Sequence, residues 1–310
     1  MKPAGSIVFF TTASGAGYGM LFWLGLLSTT HTLPTALWYG LTALIIAGAL
    51  VTAGLLSSTA HLGNPQRAWR ALSQWRSSWL SREGIAALLT YIPACLLALS
   101  WLIDPHPAPL TALLAAALAI ATVYCTAMIY ASLKPIRQWN NTWVAPFYLL
   151  AALFTGAICL AAITGFANPA AAATLSEFAM LTGLAAALVK LLYWRHIDTT
   201  TSASTVASAT GLGHLGTVRS FEAPHSEENY LLKEMGFRIA RKHAAKLRAY
   251  ALLFAFAFPI AILFGVVAGV VPVTLILIAA LCALLGMALE RWLFFAEATH
   301  TVVLFYGRQA

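Results

Sequence analysis

The sequence predicts an all-α, polytopic membrane protein: one domain over residues 1–310, built as an eight-transmembrane-helix bundle. Composition is the first observation behind this. Hydrophobic residues make up 60% of the chain and charged ones 9%, outside the range of soluble domains. The second is run length. Apolar runs near 5–28, 35–60, 84–103, 110–132, 145–166, 175–195, 247–270 and 273–296 each supply the ~20 residues that a helix needs to cross a ~30 Å hydrocarbon core. The third is a constraint of the solvent. In lipid, backbone amides are paired within one segment or around a closed barrel, and these runs are too long for barrel strands.

Taken in order, the first run flows from "MKPAGSIVFF" into a full span with no cleavage site. It is crowded with small residues, among them Ser14, Gly15, Ala16, Gly17 and Gly19. Small side chains let membrane helices approach closely, and they also leave room for a flat aromatic head group. The connections "DPHPAP", "ANPA" and "VVP" are short and proline-marked, so His106 and Asn168 read as turn residues.

Charge sets the orientation. Apart from Lys190, Arg195 and Arg291 within runs, Lys and Arg occur at Lys2, at Arg67, Arg70, Arg76 and Arg82, at Lys134 and Arg137, within 196–248 and at Arg308. The connections 29–34, 104–109, 167–174 and 270–272 contain none. The positive-inside rule therefore puts both termini and the loops after spans two, four and six in the cytoplasm. The net charge of +8 is then a signature of topology and does not call for a nucleic-acid partner.

The loop after span two holds the densest polar chemistry: residues 57–84 read "SSTAHLGNPQRAWRALSQWRSSWLSREG". Asn64 followed by Pro65 is a helix start. Ala68, Leu72, Trp75 and Trp79 then recur at i, i+4, i+7 and i+11, with Arg67 and Arg70 largely elsewhere on the wheel. The 61–82 segment reads as an interfacial helix with Trp69, Trp75 and Trp79 at head-group depth. His61 follows directly on span two and Glu83 opens span three. Ionisable residues at a membrane boundary are functional candidates, and a histidine exchanges protons near neutral pH. The structural alternative has Glu83 paired with Arg82 or Arg76 and His61 capping its helix.

The later cytoplasmic segment, 197–246, reads as a Ser/Thr/Ala/Gly-rich linker followed by a helix from Ser226. Glu227 and Glu228 fall in its first turn and Arg241, Lys242, Lys246 and Arg248 near its end, an order that complements the helix dipole. It reads as a docking or membrane-surface element. Cys95, Cys125, Cys159 and Cys282 all lie within spans without a CxxC pair, so no disulfide, zinc or iron–sulfur site is expected, and no metal site at all. The eight histidines, at 31, 61, 106, 196, 214, 225, 243 and 300, avoid mid-span positions, which argues against a bis-histidine haem. A transporter has thin support: Lys190, Glu177, Pro93 and Pro259 lie in or near spans, and no internal repeat is visible. Glu290 and Glu297 are expected to face Arg291 or the cytoplasmic boundary.

Three stretches carry a family resemblance: "HLGNPQRAWRALSQWRSSWLSREG", "SEENYLLKEMGFRIARKHAAKLR" and "ERWLFFAEATHTVVLFYG". They resemble the membrane anchor subunits of the dimethyl sulfoxide reductase type, along the whole chain. The resemblance implies a haem-free subunit of the bacterial cytoplasmic (inner) membrane. Its partners would be a molybdopterin catalytic subunit and a four-cluster iron–sulfur subunit, and its redox ligand a quinone, ubiquinone or menaquinone. Carried over by residue, it implies that His61 and Glu83 exchange protons with the quinone. Ser14 and Gly15 would lie beside the pocket, although the Gln that the family often has near Ser14–Ala16 is absent. Arg67 would hold the loop or offset negative charge on the quinone, and Arg70, Arg76 and Arg82 would dock the partner or contact anionic lipid. With this loop cytoplasmic, the chain looks more like the anchors of the cytoplasmic sulfite dehydrogenase branch, in which sulfite is oxidised to sulfate. The alternatives are the anchor of a sulfoxide or N-oxide reductase that oxidises menaquinol, and a purely structural anchor.

Overall fold

The apolar runs fold as helices. The computed structural model describes residues 3–59, 64–104, 108–201, 204–219, 221–222 and 243–306. Among these, eight helices are long and apolar enough to cross a membrane: α1 Gly5–Ser28, α2 Leu37–Thr59, α3 Trp79–Ile103, α4 Pro109–Ala131, α5 Val144–Thr164, α6 Pro169–Thr199, α7 Ala244–Val267 and α8 Val273–Ala296. His61 and most of the helix expected from Ser226 lie outside the described residues.

Two spans are longer than the hydropathy suggested, because polar caps extend them past the apolar run. Ser78 caps α3, its Oγ accepting from the Ser81 amide at 3.4 Å. Trp79, expected on the loop helix, therefore belongs to α3. Asn168, expected as a turn residue, is the N-cap of α6. Its Oδ1 accepts from the amides of Ala170 (3.0 Å) and Ala171 (3.2 Å), and Pro169 follows at the first helical position, where its missing N–H costs nothing. α7 contains a π-turn over Leu253–Ala257 just ahead of Pro259. Widening the ladder there absorbs the clash that a proline ring makes with the preceding turn.

α1 is the most enclosed span and touches α2, α4, α5 and α8. Its small residues are divided among these neighbours. A Cβ on Gly17 would lie 2.7 Å from the Ala47 carbonyl oxygen of α2, and one on Gly25 would lie 2.3 Å from that of Ala112 in α4. One on Gly19 would fall 1.8 Å from that of Ala152 in α5, beside Gly156. Close packing, one of the two roles open to this stretch, is thus met by Gly17, Gly19 and Gly25. Gly15 differs: a Cβ there would find nothing within 4 Å. Several polar groups of α1 are satisfied locally or across the contact. Thr12 and Ser14 donate to the carbonyls four residues back (2.8 and 2.7 Å), and Trp23 Nε1 donates to the Leu153 carbonyl of α5 at 2.8 Å.

α6, α7 and α8 are joined by charge. Glu290 of α8 forms ion pairs with Lys190 of α6 and, through Oε2 at 2.5 Å, with Arg291 Nε. All three are at most 2% exposed. Aromatic faces enclose them: Lys190 Nζ lies 4.1 Å from the Tyr193 ring centroid, and the Arg291 guanidinium 4.0 Å from that of Tyr148. Nearby, Arg248 of α7 bridges Glu297 (2.7 Å) and Asp198 (2.6 Å). Together these are three cations and three carboxylates, a set neutral overall. Glu290 does face Arg291, as the sequence suggests, but Lys190 is a structural partner of α8. The segment after α8 is pinned to the α4–α5 connection by an isolated bridge between Ile136 and His300 and by Thr299 N–H donating to Gln138 Oε1 at 3.1 Å.

This packing can be tested by unfolding midpoints in detergent. Gly19→Ala should destabilise the bundle by about 1–3 kcal/mol through overpacking against α5, whereas Gly48→Ala, at an open position of α2, should be neutral or stabilise by up to about 1 kcal/mol. Glu290→Gln should cost about 3–5 kcal/mol by stranding buried cations, and adding Lys190→Met should restore part of that loss.

Candidate functional site

The connection between α2 and α3 is helical, but not as the spacing anticipated. Residues Pro65–Gln74 form a 3-10 helix, opened by the Arg67 amide donating to the Asn64 carbonyl at 3.0 Å. The Asn64 side chain makes no cap bond to this helix. Three contacts seat the segment on the start of α3. A Cβ on Gly84 would sit 2.7 Å from Leu72 Cδ2, so the glycine lets Leu72 rest against α3. The Ser81 hydroxyl donates to the Ala71 carbonyl. Arg82 closes the far end: its Nε donates to the Trp75 carbonyl at 2.9 Å, its Nη2 to the Arg76 carbonyl at 2.7 Å, and its guanidinium lies 4.3 Å from the Trp79 ring centroid.

These bonds sort the four arginines of the loop. Arg82 is engaged as a staple of the loop itself. Arg67, Arg70 and Arg76 are exposed, with Arg70 over the Trp69 ring at 5.6 Å and Arg76 over the Trp75 ring at 5.5 Å. Trp69 and Trp75 are themselves 67% and 53% exposed, a basic and aromatic surface suited to a membrane interface or a partner.

Beneath this helix lies a cavity of about 470 Å³, bounded by α1, α2, α3 and α4. Phe10, Leu55, Leu72 and Ile129 give it apolar walls, and Trp69 and Ser58 lie at its loop-facing side. Glu83 is the acid in its lining. The carboxylate is 5% exposed and within hydrogen-bond reach of the Thr126 hydroxyl of α4. Thr126 Oγ1 is also 3.1 Å from the Thr122 carbonyl oxygen. Among the described residues Glu83 has no ion pair. The alternative pairing with Arg82 or Arg76 is not made, because Arg82 is spent on backbone carbonyls and Arg76 faces outward. Arg67 does not line the cavity.

Ser14 and Gly15 are on the other side of Thr126. They line a second, smaller polar cavity of about 20 Å³ with Thr126, Tyr18, Tyr148 and Arg291. That volume holds about one water molecule, and the hydroxyls of Tyr18 and Tyr148 are buried there without a partner of ordinary hydrogen-bond geometry among the described residues. Thr126 thus lines the small cavity and reaches the larger one through its bond to Glu83. The structure brings together Glu83, Thr126, Ser14 and Gly15 around one point of α4. It leaves Arg67, Arg70 and Arg76 on the surface.

Sequence reasoning missed Thr126, Tyr18, Tyr148 and the placement of Arg291. Threonines and tyrosines are common on apolar spans, so nothing in their spacing marks them. The one legible signal was Arg291 beside Glu290 inside an otherwise apolar run, which is costly without partners. The cavity meets the general form of a small-molecule site: several hundred Å³, apolar walls and few polar groups. A flat head group with a carbonyl near Glu83 fits it. No cluster of metal-ligating side chains occurs among the described residues.

Comparison with known proteins agrees in one direction. Residues 2–308 match the family model described as DMSO reductase anchor subunit (DmsC). The chain is also 30% identical to a sulfite dehydrogenase subunit of Allochromatium vinosum over 326 aligned residues, covering 99% of each chain. Eight apolar spans and a family match over almost the full length lead to one assignment: the chain belongs to the DMSO reductase anchor subunit family, and is a multi-pass membrane subunit of an oxidoreductase complex.

Proposed function

We propose that this chain is the quinone-reactive anchor of a complex that oxidises sulfite to sulfate at a partner molybdopterin subunit and passes the electrons through a partner iron–sulfur subunit. The observation that carries this reading is Glu83: a buried carboxylate without an ion pair among the described residues, in the lining of a largely apolar cavity of about 470 Å³. A purely structural anchor has no use for an acid held in such a place, which costs stability. The relative named as a sulfite dehydrogenase subunit favours sulfite over a sulfoxide as the substrate of the complex. The Arg-rich loops favour a cytoplasmic position for the docking surface in a bacterial inner membrane.

A bound quinone supplies the redox chemistry, taking up two electrons and two protons per turnover. The chain's own residues do the rest. The apolar walls around Phe10 and Leu72 exclude water from the head group. Thr126 orients the Glu83 carboxyl, whose Oε holds or delivers a proton to a carbonyl placed against it. His61, which immediately precedes the described loop, would serve the opposite carbonyl as the second proton donor. Ser14 and Gly15 act through the small polar cavity behind Thr126. Arg82 holds the loop closed over the chamber, and Arg70 and Arg76 form the surface offered to the iron–sulfur partner, with Arg67 beside them.

In the assembled complex, Glu83→Gln should lower quinone-coupled turnover by about 10²–10⁴-fold, the usual share of a general acid–base group. Assembly and sulfite oxidation with an artificial dye should stay unchanged. His61→Ala should behave alike. Quinone turnover at the parental rate in both variants would remove the site. The substrate is tested by supplying sulfite or dimethyl sulfoxide to the purified complex: sulfite-dependent quinone reduction is expected, and sulfoxide-dependent quinol oxidation alone would assign the complex to the reductases.

A further inference from the structure

The Glu83 cavity has a neighbour. A cleft of about 250 Å³ runs between α2 and α3, floored by Tyr18 and Leu21 of α1. Ala87, only 3% exposed, lines both spaces, one helical turn beyond Glu83. From this shared residue the cleft follows α3 past Tyr91, Ala94 and Ala98, a run of about 16 Å at 1.5 Å per residue. Its outer rim is formed by Ile45, 68% exposed, and the exposed Cys95, so it opens on the side of the bundle that faces hydrocarbon.

Three features keep the cleft open. α2 and α3 are neighbours but touch sparsely. They meet beyond either end of the open stretch: Thr52 Oγ1 and Tyr91 Oη lie 2.7 Å apart, and a Cβ on Gly40 would lie 2.2 Å from the Trp101 ring. The α3 wall presents alanines at 87, 94 and 98, and α2 presents Gly48, where a Cβ would find nothing within 4 Å. A membrane quinone needs this geometry, because its polar head carries a long isoprenoid chain that cannot be folded into the head-group chamber.

We propose that the α2–α3 cleft seats the isoprenoid tail of the quinone, joined to the head-group cavity at Ala87 and opening to the bilayer beside Gly48. This rests on the quinone reading above and adds the route of the ligand and the part of it that is recognised. The tail is bound equally before and during the reaction, so the cleft should govern KM and leave kcat alone.

The test is Gly48→Phe in the assembled complex, a substitution into open space. It is assayed with a tailless quinone analogue and with one carrying a long isoprenoid chain. Expected is a rise of about tenfold in KM for the long-chain quinone, with kcat and the tailless KM held within about twofold. A smaller rise is expected for Gly48→Leu, and dye-linked activity reports that the complex is intact. An unchanged long-chain KM, as when the cleft merely holds a phospholipid acyl chain, would overturn the proposal. So would an equal change for both quinones. If the parental complex reduces neither quinone, the function itself is wrong and the tail site falls with it, which separates the two failures.

Discussion

The arrangement depends on one place where two backbones touch. At the crossing of α1 and α5, Gly19 lies against Gly156 and the Ala152 carbonyl, so that a single methyl on either glycine would overlap main-chain atoms. In a membrane the hydrophobic effect does not drive helices together, and close van der Waals contact between small residues takes its place. With α1 and α5 fixed at this distance, α2 and α4 come to rest on the other faces of α1, at Gly17 and Gly25. α1 becomes the interior of the bundle. The Glu83 chamber and the small cavity beside Thr126 lie along its flank, the first against Ile7 and Phe10 and the second against Ser14 and Gly15.

The two sets of buried charge obey the same electrostatics with opposite results. Lys190, Glu290 and Arg291 compensate one another among aromatic rings, and together with Glu297 and the more exposed Arg248–Asp198 pair they hold three helices in register. Such a network gains little over apolar packing while intact, and losing one member is costly. Among the described residues Glu83 has a neutral hydroxyl, that of Thr126, for its partner. Thr126 and the hydroxyl-lined cavity behind it separate the two sets, with Arg291 facing that cavity from the compensated side.

Much of this was legible in the sequence, for reasons that can be named. The eight spans follow from apolar run length alone, and their N-terminal ends shifted most where Ser78 and Asn168 supplied caps that hydropathy does not register. Glu83 stood out in the sequence because an acid at a membrane boundary is rare, and the fold buries it in the lining of a cavity. Its environment was not legible, since Thr126 lies 43 residues away and looks like any other threonine on an apolar helix. The sequence set Arg67 apart from Arg70, Arg76 and Arg82, whereas the fold instead separates Arg82, folded back onto the Trp75 and Arg76 carbonyls, from three exposed arginines. The cleft beside Gly48 had no signal at all, because an opening depends on how two helices diverge and not on what either contains.

One contact at the edge of the bundle bears on how this chain can change. Arg248 grips both oxygens of Asp198, at 2.6 and 3.0 Å, across 50 residues of sequence. The ends of α6 and α7 are therefore held side by side, and the chain between them is a closed excursion from a fixed base. Doubling the length of such a loop raises its closure cost by only about 0.6 kcal/mol. Changes in the length of the chain between α6 and α7 are therefore inexpensive, and the eight helices keep their places.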